Sequence, residues 1–287
     1  MSLIKKAVLG PHTLPWLLQS RLAIRRLRAT NNEPSRLLAQ AFDATLCDDF
    51  SAAERRWSDR IEGIRKRSDA SQQPIKMEDF GAVSPTAQLT ADQMYQGRTI
   101  EKTLGHFSHA SKPYLWTSLL FHLVRAFKPQ HIIELGCCIG ISASYQAAAQ
   151  KLNGSGSLTT LEGAKELAAV SRSHFGELAL DNVTLVEGRF QDTLAGVVAQ
   201  NSPVDYAFID GHHDEQATIA YFEQLLPDLA PRALLVFDDV DWSPGMTRAW
   251  KKIQRDPRVA ISIETRTIGI CVVAAGVDKR DWRIPLA

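Results

Sequence analysis

A single stretch near the middle of the chain constrains the fold more than any other part of the sequence. Residues 132–142 read IIELGCCIGIS, an apolar run that passes through two glycines into a helix-forming segment. The pattern predicts a buried strand that turns through Gly136 and Gly140 into the N-terminus of a helix. Glycine lets a backbone approach a ligand closely, and helix N-termini offer N–H groups to a carboxylate or phosphate. We therefore expect an α/β fold with a ligand-binding turn.

From about residue 100 onward, strand and helix patterns alternate along the chain. Short and mostly apolar runs predict five strands, at 131–135, 158–161, 183–187, 204–209 and 233–237. Helix patterns lie between and after them, at 142–151, 165–175, 192–200, 215–226 and 245–254. Short apolar strands that alternate with helices are typical of a parallel sheet that is covered on both faces.

Two further strand patterns close the domain, at 259–264 and 268–274. The few residues between them are too short for a crossover connection, so these strands must form an antiparallel hairpin. We therefore predict an α/β fold with a doubly wound, seven-stranded sheet. The sheet is expected to be mostly parallel, with its last strand antiparallel, and to carry an N-terminal helical extension.

The N-terminal part of the chain has a different pattern, with helical segments separated by polar loops. We predict a helical cap or arm over residues 1–95 and the α/β domain over 96–287. The first 30 residues contain no acidic side chain and six basic ones, Lys5, Lys6, Arg21, Arg25, Arg26 and Arg28. Such a segment is typical of a targeting peptide or of a basic helix on an anionic membrane surface. An apolar stripe favours instead an arm that packs on the domain or on a second subunit, and its members are Leu17, Leu18, Leu22 and Leu27.

Composition excludes several classes of protein. A formal net charge of +1 argues against a nucleic-acid binder, which would carry a strong basic excess. No apolar run approaches the roughly 20 residues that a membrane-spanning helix needs. The cysteines show no metal-ligand spacing, and two of the four are adjacent, which favours a reducing, cytoplasmic location. The sequence leaves open whether the chain forms a homo-oligomer.

A carboxylate follows the second predicted strand of the domain, at Glu162. In this position a carboxylate can accept hydrogen bonds from both ribose hydroxyls of a nucleoside ligand. The turn at Gly136 and Gly140 lacks the third glycine of the dinucleotide fingerprint, which disfavours NAD and FAD. A nicotinamide oxidoreductase is therefore the weaker alternative.

Three more carboxylates are expected at the carboxyl ends of strands. Asp210 follows the fourth predicted strand, and Asp238 and Asp239 follow the fifth. Adjacent strands lie about 5 Å apart, so these side chains can converge. Clustered carboxylates repel one another and attract a hard cation such as Mg²⁺. The alternative is that they only cap loops and order a turn.

Residues 105–275 resemble the class I, seven-stranded S-adenosylmethionine-dependent methyltransferases. The string ELGxxxGxS is similar to that of the catechol-type and macrolide-sugar O-methyltransferases. The resemblance implies binding of S-adenosylmethionine and transfer of its methyl group to a hydroxyl of a small molecule. The residues implied for the cofactor are Glu134 and Gly136 at its methionine end, Ser142 at its carboxylate, Glu162 at its ribose, Phe190 and Gln191 at its adenine, and in addition Gly140 and Asp210.

The same resemblance implies how the reaction would be catalysed. Metal-dependent O-methyltransferases carry acids at the positions of Asp210, Asp238 and Asp239, which would bind Mg²⁺ or a similar divalent cation. A bound divalent cation lowers the pKa of a coordinated hydroxyl. His213 stands where the catechol-type enzymes carry a catalytic lysine and would act as the base, with Asp210 and Asp239 as its catalytic neighbours.

Two alternatives to a metal-dependent O-methyltransferase stay open. One is a metal-free N- or carboxyl-methyltransferase on the same fold, and the other is a non-catalytic module that binds S-adenosylmethionine. Around the expected site, Trp242 lies in a loop and favours a pocket wall, whereas the helical spacing near Trp116 favours the core. Lys112 can reach the substrate or the cofactor, but an ordinary exposed lysine is the favoured expectation.

Overall fold

A computed structural model of the chain describes residues 13–82, 84, 86 and 89–286. Lys5 and Lys6 of the basic N-terminal segment lie outside the described residues. The helices are α1 Thr13–Arg28, α2 Glu33–Cys47, α3 Ala52–Asp69, α4 Ala91–Gln96, α5 Leu104–Ala110, α6 Tyr114–Phe127, α7 Ile141–Asn153, α8 Lys165–Leu178, α9 Phe190–Asn201, α10 Glu215–Leu225 and α11 Pro244–Arg255. The strands are β1 Pro74–Asp79, β2 Arg98–Thr103, β3 His131–Leu135, β4 Ser157–Glu162, β5 Val183–Glu187, β6 Val204–Ile209, β7 Leu229–Phe237, β8 Val259–Glu264, β9 Gly269–Ala274 and β10 Arg280–Arg283.

The main sheet has eight strands in the order β10-β8-β9-β7-β6-β3-β4-β5. Its strands are parallel except for β9, which runs antiparallel between β7 and β8. From β3 the chain moves outward to β4 and β5 and then returns to β6 on the other side of β3. The carboxyl ends of β3 and β6 therefore flank the point where the strand order reverses, which is where open α/β sheets bind ligands.

The doubly wound fold and the antiparallel pairing of β8 with β9 are confirmed. The sheet has an eighth strand beyond the seven expected, because β10 pairs with the edge strand β8. Its sequence RDWR is mostly exposed and shows no apolar run, so hydrophobic patterning could not reveal it. The separate β1–β2 hairpin was missed for the same reason, since only Ile75 and Met77 of β1 are buried.

The N-terminal helices share one hydrophobic cluster with the helices that cover the sheet. Phe42 and Leu38 of α2 and Ile61 of α3 are fully buried in it, and α2 packs along α6 while α3 packs against α5 and α7. No described helix has the length and hydrophobicity to cross a membrane.

The predicted leucine stripe of α1 needs a correction. Leu17 and Leu27 are buried, but Leu18 is 60% and Leu22 50% exposed. The buried face of α1 runs instead through Leu17, Ser20, Ile24 and Leu27. Its spacing of three or four residues follows one side of an α-helix, and Leu18 and Leu22 lie beside that side.

Two capped helices fix the loops that follow β6 and β7. The Asp214 side chain accepts hydrogen bonds from the backbone N–H groups of Gln216 and Ala217, which starts α10 four residues after Asp210. Ser243 accepts from the backbone N–H of Met246 and starts α11. The loops between each strand and its helix are therefore short and held at both ends.

Replacing Phe42 tests whether the helical extension and the sheet share one core. Phe42→Ala is expected to lower the free energy of unfolding by about 3–5 kcal/mol, because it removes a fully buried ring. Urea unfolding followed by fluorescence and by far-UV circular dichroism measures this change, and the two signals should report one transition. The control Leu18→Ala removes an exposed side chain and should change the free energy by no more than about 0.5 kcal/mol. Two separate transitions would contradict a shared core.

Candidate active site

The loops that follow β3 and β6 touch each other at Gly136. Its φ of 97° lies in the region that favours glycine, and a Cβ at this position would collide with the carbonyl oxygen of Asp210. The backbone N–H of Asp210 in turn donates to the carbonyl of Leu135 at 2.9 Å. Gly136 is therefore required for packing, because no other residue lets the two loops approach so closely.

The turn between Gly136 and α7 is held by a half-buried carboxylate. Glu162 accepts a hydrogen bond from the Cys138 backbone N–H at 2.7 Å and another from the Ala164 backbone N–H at 2.9 Å. Cys138 adopts a left-handed conformation with φ of 51°, and Ser171 Oγ donates to its carbonyl at 2.8 Å. Burial raises the pKa of Glu162 to about 7. Gly140 begins α7 without a side-chain cap.

A cavity of about 750 Å³ opens in front of this turn. That volume is ordinary for a small-molecule or cofactor site. Of the side chains and glycines predicted from the sequence, the cavity is lined by Gly136, Ser142, Glu162, Phe190, Asp210, His213 and Trp242. Trp116 is a core residue, as expected. The sequence therefore located both walls of the cavity, one at the glycine turn and one at the loops after β6 and β7.

Glu134, one of the predicted cofactor residues, is absent from the cavity lining. It is completely buried beneath the turn, where it accepts hydrogen bonds from Gln146 Nε2 at 2.8 Å and Thr160 Oγ1 at 2.6 Å. Burial raises its pKa to about 7. Its hydrogen bonds connect β3 with β4 and α7. Glu134 can therefore affect a bound ligand only indirectly, by holding the turn in position.

Two adjacent histidines follow Asp210, and the structure separates their environments. His212 is buried, with Nδ1 2.6 Å from the Tyr221 hydroxyl and Nε2 3.2 Å from Gln191 Nε2, and burial lowers its pKa to about 4. His213 faces the cavity, with its ring centroid 5.5 Å from that of Trp242. The predicted adenine residue Gln191 is therefore engaged with His212 and does not line the cavity.

The three predicted metal ligands do converge around His213. His213 Nε2 lies 3.6 Å from Asp210 Oδ1, and Nδ1 lies 3.8 Å from Asp239 Oδ2. Asp238 is 1% exposed, and burial together with the neighbouring charge of Asp210 raises its pKa to about 7. Burial also raises the pKa of Asp210 and of Asp239. His213 and Asp239 both have left-handed backbones, a strain that is concentrated at functional sites.

Lys112 was expected to be exposed, and this expectation is wrong. Its side chain is only 14% exposed, its Nζ donates a hydrogen bond to Asp238 Oδ2, and it lies 3.7 Å from Asp239 Oδ1. The three aspartates together raise its pKa, against the effect of burial. Lys112 lines the same cavity as His213. No local signal could reveal this contact, because 126 residues separate Lys112 from Asp238.

A divalent cation does not fit the acidic cluster of Asp210, Asp238 and Asp239 as these side chains are arranged. Asp238 and Asp239, two of the three predicted ligands, already share the Lys112 ammonium. Within the part of the chain that the structure describes, no group of three histidine, cysteine or acidic side chains has the arrangement of a metal site. Metal assistance therefore stays a prediction of the sequence, and no chemical step is derived through it.

A short segment from the N-terminal part of the chain covers the cavity. The Ala82 backbone N–H donates to the carbonyl of His212 at 3.0 Å. A Cβ on Gly163 would lie 2.8 Å from the ring of Phe80, so that ring packs on the backbone beside Glu162. Phe80 and Ala82 line the cavity, and both belong to the part of the chain that the sequence predicted as an N-terminal cap or arm.

Residues 133–240 match a family described as "Methyltransferase domain". The fold of the chain is similar to that of the O-methyltransferase TomG from Streptomyces achromogenes, with 23% identity and a TM-score of 0.51 over 57% of this chain and 82% of that one. It is also similar to the methyltransferase PaMTH1 from Podospora anserina, with 20% identity and a TM-score of 0.50 over 57% of this chain and 80% of that one. No curated protein matches the chain.

The glycine turn, Glu162 and the three aspartates Asp210, Asp238 and Asp239 all lie inside the region that matches this family. The prediction of a class I methyltransferase fold is confirmed, since the matched region spans β3 to β7 and the strand order around β3 reverses as expected.

Glu134 offers a test of the buried support beneath the turn. Because the pKa of folded Glu134 is raised from 4.5 to about 7, its contribution to stability is complete below pH 4.5 and is lost as the pH rises to 7. Over this window the free energy of unfolding of the wild type should fall by about 3 kcal/mol relative to Glu134→Gln. Urea titrations at several pH values measure the difference, with the exposed Glu223→Gln as control. A constant difference between wild type and Glu134→Gln would contradict titration of Glu134 in this range.

Proposed function

We propose that this chain transfers a methyl group from S-adenosylmethionine to a hydroxyl oxygen of a small molecule. The observation that carries the proposal is one cavity with two chemically different walls. The glycine turn and Glu162 form one wall, and His213, Asp210 and Lys112 lie on the other, with Asp238 and Asp239 behind them. The TomG structure contains S-adenosylmethionine and the PaMTH1 structure contains S-adenosylhomocysteine.

The turn and its surroundings suit an adenosine ligand that carries an amino-acid group. The Glu162 carboxylate now accepts two backbone N–H groups, and its oxygens can also accept the two ribose hydroxyls. Ser142, in the first turn of α7, is placed to hold a carboxylate near the positive end of the helix dipole. Phe190, whose ring lies against Gly211, offers an apolar wall for adenine. Bound S-adenosylmethionine supplies an electrophilic methyl group, and its transfer leaves S-adenosylhomocysteine.

His213 is the proposed general base for the acceptor hydroxyl. Its ring lies in the cavity wall, where an unprotonated imidazole nitrogen can accept the proton that the hydroxyl loses. The carboxylates of Asp210 and Asp239, 3.6 and 3.8 Å from its two nitrogens, favour the imidazolium that results. Trp242 packs against His213 and limits the space beside it.

The ammonium of Lys112 in the acidic cluster favours methyl transfer without a metal. The sequence-based prediction of Mg²⁺ at Asp210, Asp238 and Asp239 requires that this lysine be displaced. A metal-free N- or carboxyl-methyltransferase is the second candidate, and it differs from the first in the acceptor group, an amine or a carboxylate instead of a hydroxyl. An amine acceptor can be distinguished from a hydroxyl acceptor by the mass and fragmentation of the methylated product.

We further propose that residues 1–95 act as a cap that shapes the acceptor side of the cavity. Phe80 and Ala82 in this region line the cavity, and the helices α2 and α3 share the core of the domain. A cytoplasmic location and a homo-oligomer stay predictions. Contact of the basic N-terminal segment with a membrane surface is the less favoured alternative, since α1 packs its Leu17–Leu27 face inward.

Cofactor binding is tested first, because it needs no knowledge of the acceptor. Calorimetry should detect binding of S-adenosylhomocysteine to the wild type and no binding of NAD. Glu162→Gln should weaken the affinity by about 10–100-fold, because it removes a charged acceptor of hydrogen bonds. Glu166→Gln, one turn into the next helix, is the matched control and should retain wild-type affinity. Equal affinities for wild type and Glu162→Gln, or binding of NAD instead, would contradict the proposed cofactor site.

Catalysis is tested with methyl-labelled S-adenosylmethionine and a panel of phenols, catechols and sugar alcohols. With an acceptor from this panel, His213→Ala should lower kcat by about 10²–10⁴-fold while the affinity for S-adenosylhomocysteine stays within about twofold. The control His109→Ala changes an exposed histidine outside the cavity and should retain full activity. Unchanged turnover in His213→Ala would exclude it as the base. Binding of cofactor with no transfer to any acceptor would favour a non-catalytic module.

A further inference from the structure

The acidic cluster, defined as Asp210, Asp238 and Asp239, contains a lysine. We propose that the Lys112 ammonium is the resident cation of this cluster, takes the place of a divalent metal ion and carries the positive charge that the acceptor oxygen meets. The part of the proposal that concerns the acceptor rests on the proposed function. The part that concerns metal exclusion stands on the geometry alone.

The contact between Lys112 and the cluster is close and largely hidden from water. Nζ of Lys112 donates to Oδ2 of Asp238, a side chain that is only 1% exposed, and it lies 3.7 Å from Oδ1 of Asp239. Exposed lysine pairs contribute little and exchange partners freely, whereas breaking a buried pair leaves an uncompensated charge. This lysine therefore behaves as part of the site and not as a surface side chain.

The backbone around Lys112 is fixed on both sides. Ser111 ends α5, and its backbone N–H donates to the carbonyls of Phe107 and Ser108, each at 3.1 Å. Pro113 begins α6 directly after Lys112. Because two helices hold this three-residue connection, the base of the lysine side chain has one position. The positions of α5 and α6 therefore place the ammonium beside the cluster.

A divalent cation and this ammonium compete for the same oxygens. Mg²⁺ binds carboxylate oxygens at about 2.0–2.1 Å, and an ammonium hydrogen bond to a carboxylate is about 2.7–2.9 Å long. A metal bound to Asp238 and Asp239 would lie against Nζ, where two positive charges repel strongly in a poorly solvated site. Metal binding therefore requires that the Lys112–Asp238 pair be broken. Removal of the lysine charge should have the opposite effect and turn the cluster into a cation site.

The ammonium also faces the acceptor side of the cavity. Lys112 lines the cavity together with Asp210 and His213. An ammonium has three N–H donors, and one of them donates to Asp238. Another donor can meet the acceptor oxygen and stabilise the negative charge that develops when its proton moves to His213. Lys112 thus places a positive charge beside the acceptor oxygen, as the metal ion does in the metal-dependent O-methyltransferases.

The test measures metal binding and methyl transfer in a matched set of variants. Lys112→Met keeps the length of the side chain without its charge, and Lys112→Arg keeps the charge. The control Lys252→Ala removes a lysine from an exposed pair with Glu223. Binding of Mn²⁺ is followed by electron paramagnetic resonance at concentrations up to about 1 mM, with and without S-adenosylhomocysteine. Methyl transfer is measured after treatment with EDTA and again after addition of Mg²⁺.

We expect the wild type, Lys112→Arg and Lys252→Ala to bind no Mn²⁺ at the cluster, and wild-type activity to survive EDTA. Lys112→Met should bind one Mn²⁺ at least about tenfold more tightly than the wild type. In EDTA it should lose about 100-fold or more of its turnover, and added Mg²⁺ should restore part of that loss. Thermal unfolding, and affinity for S-adenosylhomocysteine, show whether the variant is folded.

Specific outcomes would overturn the proposal. Binding of Mn²⁺ by the wild type, or loss of wild-type activity in EDTA, would show that the lysine does not replace a metal, even if Lys112→Met did not fold. Mn²⁺ affinity of Lys112→Met equal to that of the wild type would also refute metal exclusion. Full turnover of metal-free Lys112→Met would refute contact with the acceptor. Failure of the proposed function would appear separately, as absence of S-adenosylhomocysteine binding with the Mn²⁺ results unchanged.

Discussion

The close approach of the loops after β3 and β6 is the constraint on which the rest of the site depends. Gly136 packs on the carbonyl of Asp210 with no room for a side chain. The contact lies at the point where the strand order reverses, so it brings the turn that precedes α7 and the acids that follow β6 and β7 into one crevice. Both walls of the cavity, and with them both halves of the proposed reaction, depend on this single juxtaposition.

A second constraint is the burial of charge around that contact. Burial raises the pKa of Glu134 and Glu162 to about 7 on one side of the crevice and that of Asp238 to about 7 on the other. Burying such carboxyl groups lowers the free energy of unfolding, and carboxyl groups with raised pKa values are characteristic of functional sites. The two sides of the crevice differ in the groups that interact with the buried carboxyl groups. Backbone and side-chain donors satisfy the glutamates, whereas Lys112 compensates the aspartates.

The sequence predicted the parts of the molecule that follow from local patterns. Apolar runs located the strands from β3 to β9, and the glycine turn, Glu162 and the three aspartates lie where strand ends in a parallel sheet must bring them. It could not predict Lys112, because that contact arises from a connection 126 residues before Asp238. Nor could it predict β10 or the β1–β2 hairpin, whose side chains are mostly exposed and show no apolar run. Glu134 shows a further limit, since a position beside a ligand-binding turn can point into the core.

The most direct test of the whole account is a crystal structure of the wild-type protein with S-adenosylhomocysteine and Mn²⁺, measured at the manganese absorption edge. We expect the ligand to lie in the cavity with its ribose hydroxyls on Glu162. We also expect Lys112 to remain on Asp238, with no anomalous peak among the three aspartates. A manganese peak between Asp210 and Asp239 with Lys112 displaced, or a ligand bound away from Glu162, would contradict both the proposed cofactor site and the proposed role of Lys112.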